Sequence, residues 1–204
     1  MIGLQKDHGL WTVTLCRPDK ANSLTCDMLT RLAEIAEAAT GDGARALILT
    51  GEGRVFSAGA DLEEARAGLA TDPIWEKLSG ALALAPFLTI AALNGTLAGG
   101  AFGMALACDI RIAVPDAKFF YPVMKLGFLP QPSDPERLSA LIGPARAKMI
   151  LMAGAKIAAD EALAWGLVDR IVPPETLMDA ARALTTDVQT ASAAHVAGIK
   201  ALVR

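Results

Sequence analysis

The chain has 204 residues, of which 53% are hydrophobic and 20% charged, and its formal net charge is −3. That length and composition suit one domain with a substantial core, and a small negative charge without a lysine/arginine cluster argues against nucleic acid as a partner. Residues 81–93 are interrupted by Pro86 and Thr89, so no apolar run is long enough to cross a bilayer. No basic segment precedes an apolar stretch at the start, so the cytoplasm is the expected location.

Residues 9–15 (GLWTVTL) alternate and are rich in β-formers, which predicts a hairpin with residues 2–5 across a polar turn. Residues 17–22 (RPDKAN) read as a loop. Met28, Leu29, Leu32, Ile35 and Ala36 recur at helical spacing within residues 25–39, and glycines at 41 and 43 stop that helix. Residues 45–50 (RALILT) predict a short buried strand. Residues 55–62 (VFSAGADL) predict a strand, a glycine turn and a helix start, with Asp61 and Glu64 spaced as a capping box. Residues 67–73 read as a loop.

A helix is expected over 75–84 and a buried strand over 87–93. Residues 94–100 read as a loop before an apolar helix at 100–107. Strands follow at 109–114 and 118–121, then a proline-rich loop at 126–135. Helices are expected at 136–142, 145–152 and 159–165, a strand at 168–172, and a mostly helical run over 175–203. Strands alternating with helices predict βαβ units and largely parallel sheets. Cys16, Cys26 and Cys108 are scattered and odd in number, which reads as reduced thiols. His8 and His195 lack metal-ligand spacing, so no metal is expected.

Two segments share one design, a strand running through a glycine turn into a helix N-terminus. They are residues 57–61 (SAGAD) and 97–101 (LAGGA). Glycine allows positive φ and a close backbone approach. A helix start leaves N–H groups free and carries positive partial charge. Two such donors converging on one point would make an oxyanion hole; from spacing alone, each segment reads more readily as tight helix–strand packing.

Residues 90–110 (IAALNGTLAGGAFGMALACDI) resemble the signature segment of the crotonase, or enoyl-CoA hydratase/isomerase, superfamily. Residues 17–24 (RPDKANSL) and 49–62 (LTGEGRVFSAGADL) resemble its other hallmarks, and the likeness covers nearly the whole chain. It implies an α/β fold of the ClpP/crotonase type, a stacked ββα superhelix, here with a short C-terminal helical region. It implies an acyl-CoA thioester as substrate, no separate cofactor, no membrane partner, and assembly as a homotrimer or dimer of trimers.

The resemblance also implies site roles. The N–H groups of Ala60 and Gly100 match the pair that polarises the thioester carbonyl. Ala58, Asp61 and Leu62 match a stretch whose backbone contacts the CoA adenine. Lys20 and Ala21 lie in the loop that flanks pantetheine and adenine, although Lys20 is equally readable as a solvated loop lysine. Asp109 is expected to close its helix structurally.

The chain departs from the family where hydratases carry two glutamates, since those positions are Gly103 and Val123. Neither residue can transfer a proton, so ordinary syn-hydration is not expected. Gln131 falls where dienoyl-CoA isomerases carry an aspartate, and it cannot ionise. The remaining acid/base candidates are Asp134, Glu136 and Tyr121. Asp134 is alternatively a helix N-cap and Tyr121 a core residue, while Glu63 and Glu64 read as an exposed helix face.

Three readings follow: a CoA-thioester lyase or isomerase, a non-catalytic acyl-CoA-binding protein of the same fold, or a serine hydrolase. The last lacks its nucleophile, because Phe102 and Gly103 stand beside the oxyanion glycine and neither histidine lies in a suitable motif. Dinucleotide binding finds only Gly51-Glu52-Gly53, with no G-x-G-x-x-G after a strand.

Overall fold

The computed structural model describes residues 1–203. Ile2–Asp7 (β1) and Leu10–Leu15 (β2) pair antiparallel, and the turn between them holds His8 and Gly9 at positive φ. Cys26–Gly41 (α1) starts on Thr25, whose hydroxyl accepts from the Met28 N–H, and it buries the five residues whose spacing predicts it. Ala46–Gly51 (β3) and Val55–Ser57 (β4) follow, then the short Leu62–Arg66 (α2) and Ile74–Leu84 (α3). Leu88–Leu93 (β5) and Thr96–Ala98 (β6) lead through a 3-10 turn at Gly99–Ala101 into Phe102–Leu106 (α4).

Ile110–Ala113 (β7), Lys118–Phe120 (β8) and Val123–Leu126 (α5) come next. Asp134–Ile142 (α6), Pro144–Leu151 (α7), Ile157–Ala158 (β9), Ala159–Trp165 (α8) and Arg170–Ile171 (β10) precede three final helices. Those helices are Leu177–Ala183 (α9), Thr186–Thr190 (α10) and Ala193–Leu202 (α11).

The strands divide between two sheets. Six lie in the order β1-β2-β3-β5-β7-β10 and four in the order β4-β6-β8-β9. All pairs are parallel except β1 with β2 and β8 with β9. β3 and β5 are buried along almost their whole length, as parallel strands covered on both faces must be. The chain gives one strand to the first sheet, turns a corner, gives the next to the second sheet, and returns through helix. β3/β4, β5/β6 and β7/β8 repeat that step, so the stacked ββα superhelix is realised.

Side-chain amides fix the corners. Asn22, fully buried, donates to the carbonyls of Glu52 and Val55 at 2.9 and 2.7 Å. Asn94 donates to Gly53 and accepts from the Gly51 N–H, each at 3.0 Å. Gly95 is pressed so closely on the Arg54 carbonyl that a Cβ there would overlap it. The Asn94-Gly95 pair is thus a corner device that gives partners to the backbone groups of Gly51 and Gly53 at the bend.

The structure refines several expectations. Residues 94–100 contain β6, a strand too short to announce itself by alternation but buried between β4 and β8. The final run is mostly helical, as expected, but is divided into three helices, with breaks at Leu184 and Thr185 and, where the backbone turns extended, at Ala191 and Ser192. The capping box closes on one side only. Asp61 accepts from the N–H groups of Glu63 and Glu64, but the Glu64 carboxylate accepts from the Cys26 N–H at 2.7 Å.

Candidate active site

The two glycine turns meet. Ser57 Oγ donates to the Asn22 carbonyl at 2.8 Å and accepts from the Gly59 N–H at 3.2 Å. The Ala58 N–H donates to Ala21, so the loop before α1 and the turn after β4 form one unit. Gly59 has φ of 93°, and a Cβ on it would lie 2.9 Å from the Ala98 carbonyl oxygen, 3.2 Å from Gly99 Cα and 3.4 Å from the Gly100 nitrogen. Gly59→Ala therefore strains the backbone and wedges the turns apart. We expect it to destabilise the protein by about 2 kcal/mol in urea unfolding, together with weaker thioester binding.

Contact between the turns brings the segments around Ala60 and Gly100 together. Leu24 bridges the segment around Ala60; its N–H donates to Gly59, and it accepts from Asp61. Backbone N–H groups of extended chain alternate in direction, so the Ala60 N–H is left on the other edge. Gly100 lies in the first turn of the 3-10 segment, where N–H groups have no intrahelical acceptor. Ala60 and Gly100 line the same cavity, of about 310 Å³. Trp75 closes it behind Gly100: its ring carbons lie 3.2 Å from where a Cβ on Gly100 would sit, and its Nε1–H is held by the Leu69 carbonyl at 2.7 Å.

The remaining wall is mostly apolar, with Ala58, Leu62, Val123, Leu126, Phe128 and Leu129. Tyr121 and Gln131 supply side-chain polar groups, and Arg66 is the one charged side chain in the lining. Gln131 is anchored through Nε2 to the Ala70 carbonyl at 3.0 Å.

Behind Tyr121 lies Asp134, 1% exposed. Its Oδ2 accepts from the Tyr121 hydroxyl at 2.9 Å, and its Oδ1 is buried without a partner. Burial pushes its pKa up to about 7 against the pull of the Tyr121 hydrogen bond; Glu76 raises it further and Arg137 opposes. Burial and the Asp134 charge likewise push the Tyr121 phenol well above its ordinary range.

The sequence-derived candidates separate accordingly. Ala58, Ala60, Leu62, Gly100 and Tyr121 share the cavity, while Lys20, Ala21, Asp61, Asp134 and Glu136 do not line it. Lys20 and Glu136 are exposed. Asp61 is engaged by Arg17 at 2.8 Å, whose guanidinium holds its carboxyl below the usual range, with the α2 N–H groups adding to that effect. Asp134 is not the N-cap of α6. Ser133 occupies that position, and the carboxylate turns inward to Tyr121 because α6 packs that face toward α4.

Asp109 is structural: it accepts from the Thr89 N–H and hydroxyl and from Lys200. Burial raises the Cys108 thiol to about 12, so it is not a nucleophile. Sequence reasoning missed Trp75 and Ala70 as parts of the wall, since neither carries a motif. Among the described residues, no cluster of three or more His, Cys, Asp or Glu side chains is placed to hold a metal ion, and no helix is long and apolar enough to cross a membrane.

Comparison with known proteins extends the geometry. Residues 5–204 match the profile of the family described as enoyl-CoA hydratase/isomerase. The chain is 36% identical over 181 residues to a probable enoyl-CoA hydratase, echA6, of Mycobacterium tuberculosis, covering 88% of this chain and 73% of that protein. It is 34% identical over 194 residues to the 1,2-epoxyphenylacetyl-CoA isomerase of Escherichia coli, covering 90% and 74%. Among solved structures, the enoyl-CoA hydratase of Bacillus anthracis superposes with a TM-score of 0.91 at 32% identity, over 99% of this chain and 81% of that one.

Proposed function

Because this chain belongs to the enoyl-CoA hydratase/isomerase family, we propose that it binds an acyl-CoA thioester with its carbonyl oxygen between the N–H groups of Ala60 and Gly100, and stabilises the enolate that forms when a proton leaves the adjacent carbon. The observation that supports this most is the contact of Gly59 with the Gly99-Gly100 turn, at the edge of an apolar cavity that both donors line. Charge grows on the thioester oxygen as the enolate forms, so fixed donors favour the transition state over the bound substrate. The substrate carries its own CoA, and no further cofactor enters this reading. Ala58 and Leu62, in the cavity wall, are proposed CoA contacts. Lys20, Ala21 and Asp61 are proposed to lie along the outer, CoA side. Assembly as a trimer or dimer of trimers belongs to the same reading and is checked by light scattering.

The reaction proposed is of the isomerase or lyase kind, without ordinary hydration. Gly103 and Val123 offer no proton donor, and Val123 makes that part of the cavity wall apolar. A second reading, an acyl-CoA-binding protein without turnover, draws on the same two residues. Calorimetric titration with acetyl-CoA and crotonyl-CoA, with crotonyl absorbance followed on the same samples, tests the first half of the proposal. We expect both thioesters to bind and the crotonyl absorbance to persist. Absence of binding by either would sink the acyl-CoA reading, and rapid loss of absorbance would show that hydration survives without the two carboxylates.

A further inference from the structure

Asp134 is the only buried acidic side chain among the described residues. It occupies a particular space. A Cβ on Gly103 would lie 2.8 Å from its Oδ1 and 3.5 Å from its Cγ, so any side chain at position 103 of α4 would collide with the carboxylate. Glycine at 103 and aspartate at 134 are therefore one arrangement, with a carboxylate delivered from α6 into room that α4 leaves empty.

The carboxylate reaches the cavity through one group. Tyr121 donates its hydroxyl to Oδ2 at 2.9 Å, stacks on Phe102 with ring centroids 5.4 Å apart, and lines the cavity with Ala60 and Gly100. The charged and titratable groups facing Asp134 are few. Glu76 approaches from α3, itself held by the Ser133 N–H and hydroxyl at 3.2 and 2.9 Å, and Arg137 stands one turn along α6. An apolar side chain would fill the same space without a buried charge or an unpartnered oxygen, so packing does not explain Asp134. Perturbed, buried ionisable groups beside a cavity are what proton chemistry uses.

We propose that Tyr121 and Asp134 form the proton relay of this site, resting on the acyl-CoA reading above. As the substrate C–H bond breaks, its electron pair moves into the enolate held by Ala60 and Gly100. The proton joins the Tyr121 oxygen, and the proton already on that oxygen passes to Asp134 Oδ2. The Tyr121 hydroxyl exchanges its proton with water in the cavity before the reverse transfer returns a proton to the same or a conjugated carbon, so the relay ends as it began, consumes no co-reactant and carries solvent hydrogen into the substrate. Tyr121 is the catalytic residue because it lines the cavity proposed to hold the substrate, and its oxygen also accepts from the Gln131 N–H at 3.4 Å. Asp134 is a positioning residue and proton store that acts through it. The phenol resists ionisation, so both protons move together.

The test is α-proton exchange of butyryl-CoA in deuterated buffer from pH 5 to 9, for the wild type, Tyr121→Phe, Asp134→Asn and Gly103→Ala. Circular dichroism and butyryl-CoA affinity serve as controls of fold and site. The wild-type rate is expected to rise with pH as Asp134 ionises, with its midpoint near 7. Tyr121→Phe and Asp134→Asn are expected to lose roughly 10²-fold or more, and Asp134→Asn to lose the pH dependence as well. Gly103→Ala, which pushes the carboxylate aside without entering the cavity wall, should fall with them. An independent readout is ¹³C NMR titration of the aspartate carboxyls, with Asp134 assigned by its loss in Asp134→Asn. Wild-type exchange that survives in Asp134→Asn with the same pH profile, or an Asp134 carboxyl titrating below pH 5, overturns the relay and leaves the oxyanion reading standing. No wild-type exchange at any pH overturns both.

Discussion

Asp134→Asn is expected to stabilise the protein above neutral pH, by roughly 4 kcal/mol before any loss from imperfect amide packing. An aspartate in an unfolded chain releases its proton near pH 3.8, whereas folded Asp134 holds it to about 7. Between those values the folded protein binds more protons than the unfolded chain, so stability falls as pH rises through that window. Above pH 7 the whole difference is lost, at 1.36 kcal/mol per unit of pKa. Asparagine does not titrate, keeps an acceptor for the Tyr121 hydroxyl, and places an amide where the unpartnered Oδ1 lies. For a chain of this length the gain corresponds to a rise of roughly 10 °C in melting temperature at pH 8.5, shrinking steadily as the pH is lowered toward 4. Urea unfolding of both proteins at pH 5 and 8.5 measures it. A variant less stable than wild type at pH 8.5 would show that the carboxylate holds the fold together. A more stable one would mean that the protein tolerates a destabilising group, which is expected of groups kept for chemistry.

Removing the Gly100 donor is expected to cost roughly 10²- to 10³-fold in α-proton exchange, the loss seen when one oxyanion-hole donor is deleted. Proline at 100 has no N–H, and its fixed φ suits a 3-10 segment. Proline also adds atoms toward Trp75, whose ring lies 3.2 Å from the position of a new Cβ. Gly100→Ala crowds the same ring and keeps the N–H, so the comparison of the two isolates the donor. Gly100→Ala should lose several-fold, and Gly100→Pro the further 10²- to 10³-fold, with butyryl-CoA affinity changed far less in both. Equal losses in the two variants would mean that the Gly100 N–H does not bind the oxyanion.

Local pattern carried most of the fold. Helical spacing in residues 25–39 and the apolar runs at 45–50 and 87–93 each correspond to an observed element, because burial of one stripe or of a whole strand leaves its mark on composition. β6 left none, since three residues are too few for alternation and their burial is decided by β4 and β8, far away in sequence. The glycine turns at 59 and 99–100 were legible as close-approach sites, because positive φ demands glycine. The orientation of Asp134 was not. Placed beside Pro135 at a helix start, it has the local look of a cap, and only the packing of α6 on α4 turns it inward. The missing side chain at Gly103 and the carboxylate at Asp134 lie 31 positions apart. Their relation is a contact in space, and a single sequence records no such contact.

Deuterium incorporation at the α-carbon of butyryl-CoA by the wild-type protein tests the enolate claim most directly, because it requires proton removal and exchange of the relay proton with solvent before return, and does not depend on which product the enzyme makes. We expect incorporation faster than in buffer or in Gly100→Pro, from a protein that leaves crotonyl-CoA unhydrated. Tight binding of butyryl-CoA with no incorporation above the buffer rate would contradict it and would leave an acyl-CoA-binding protein without turnover.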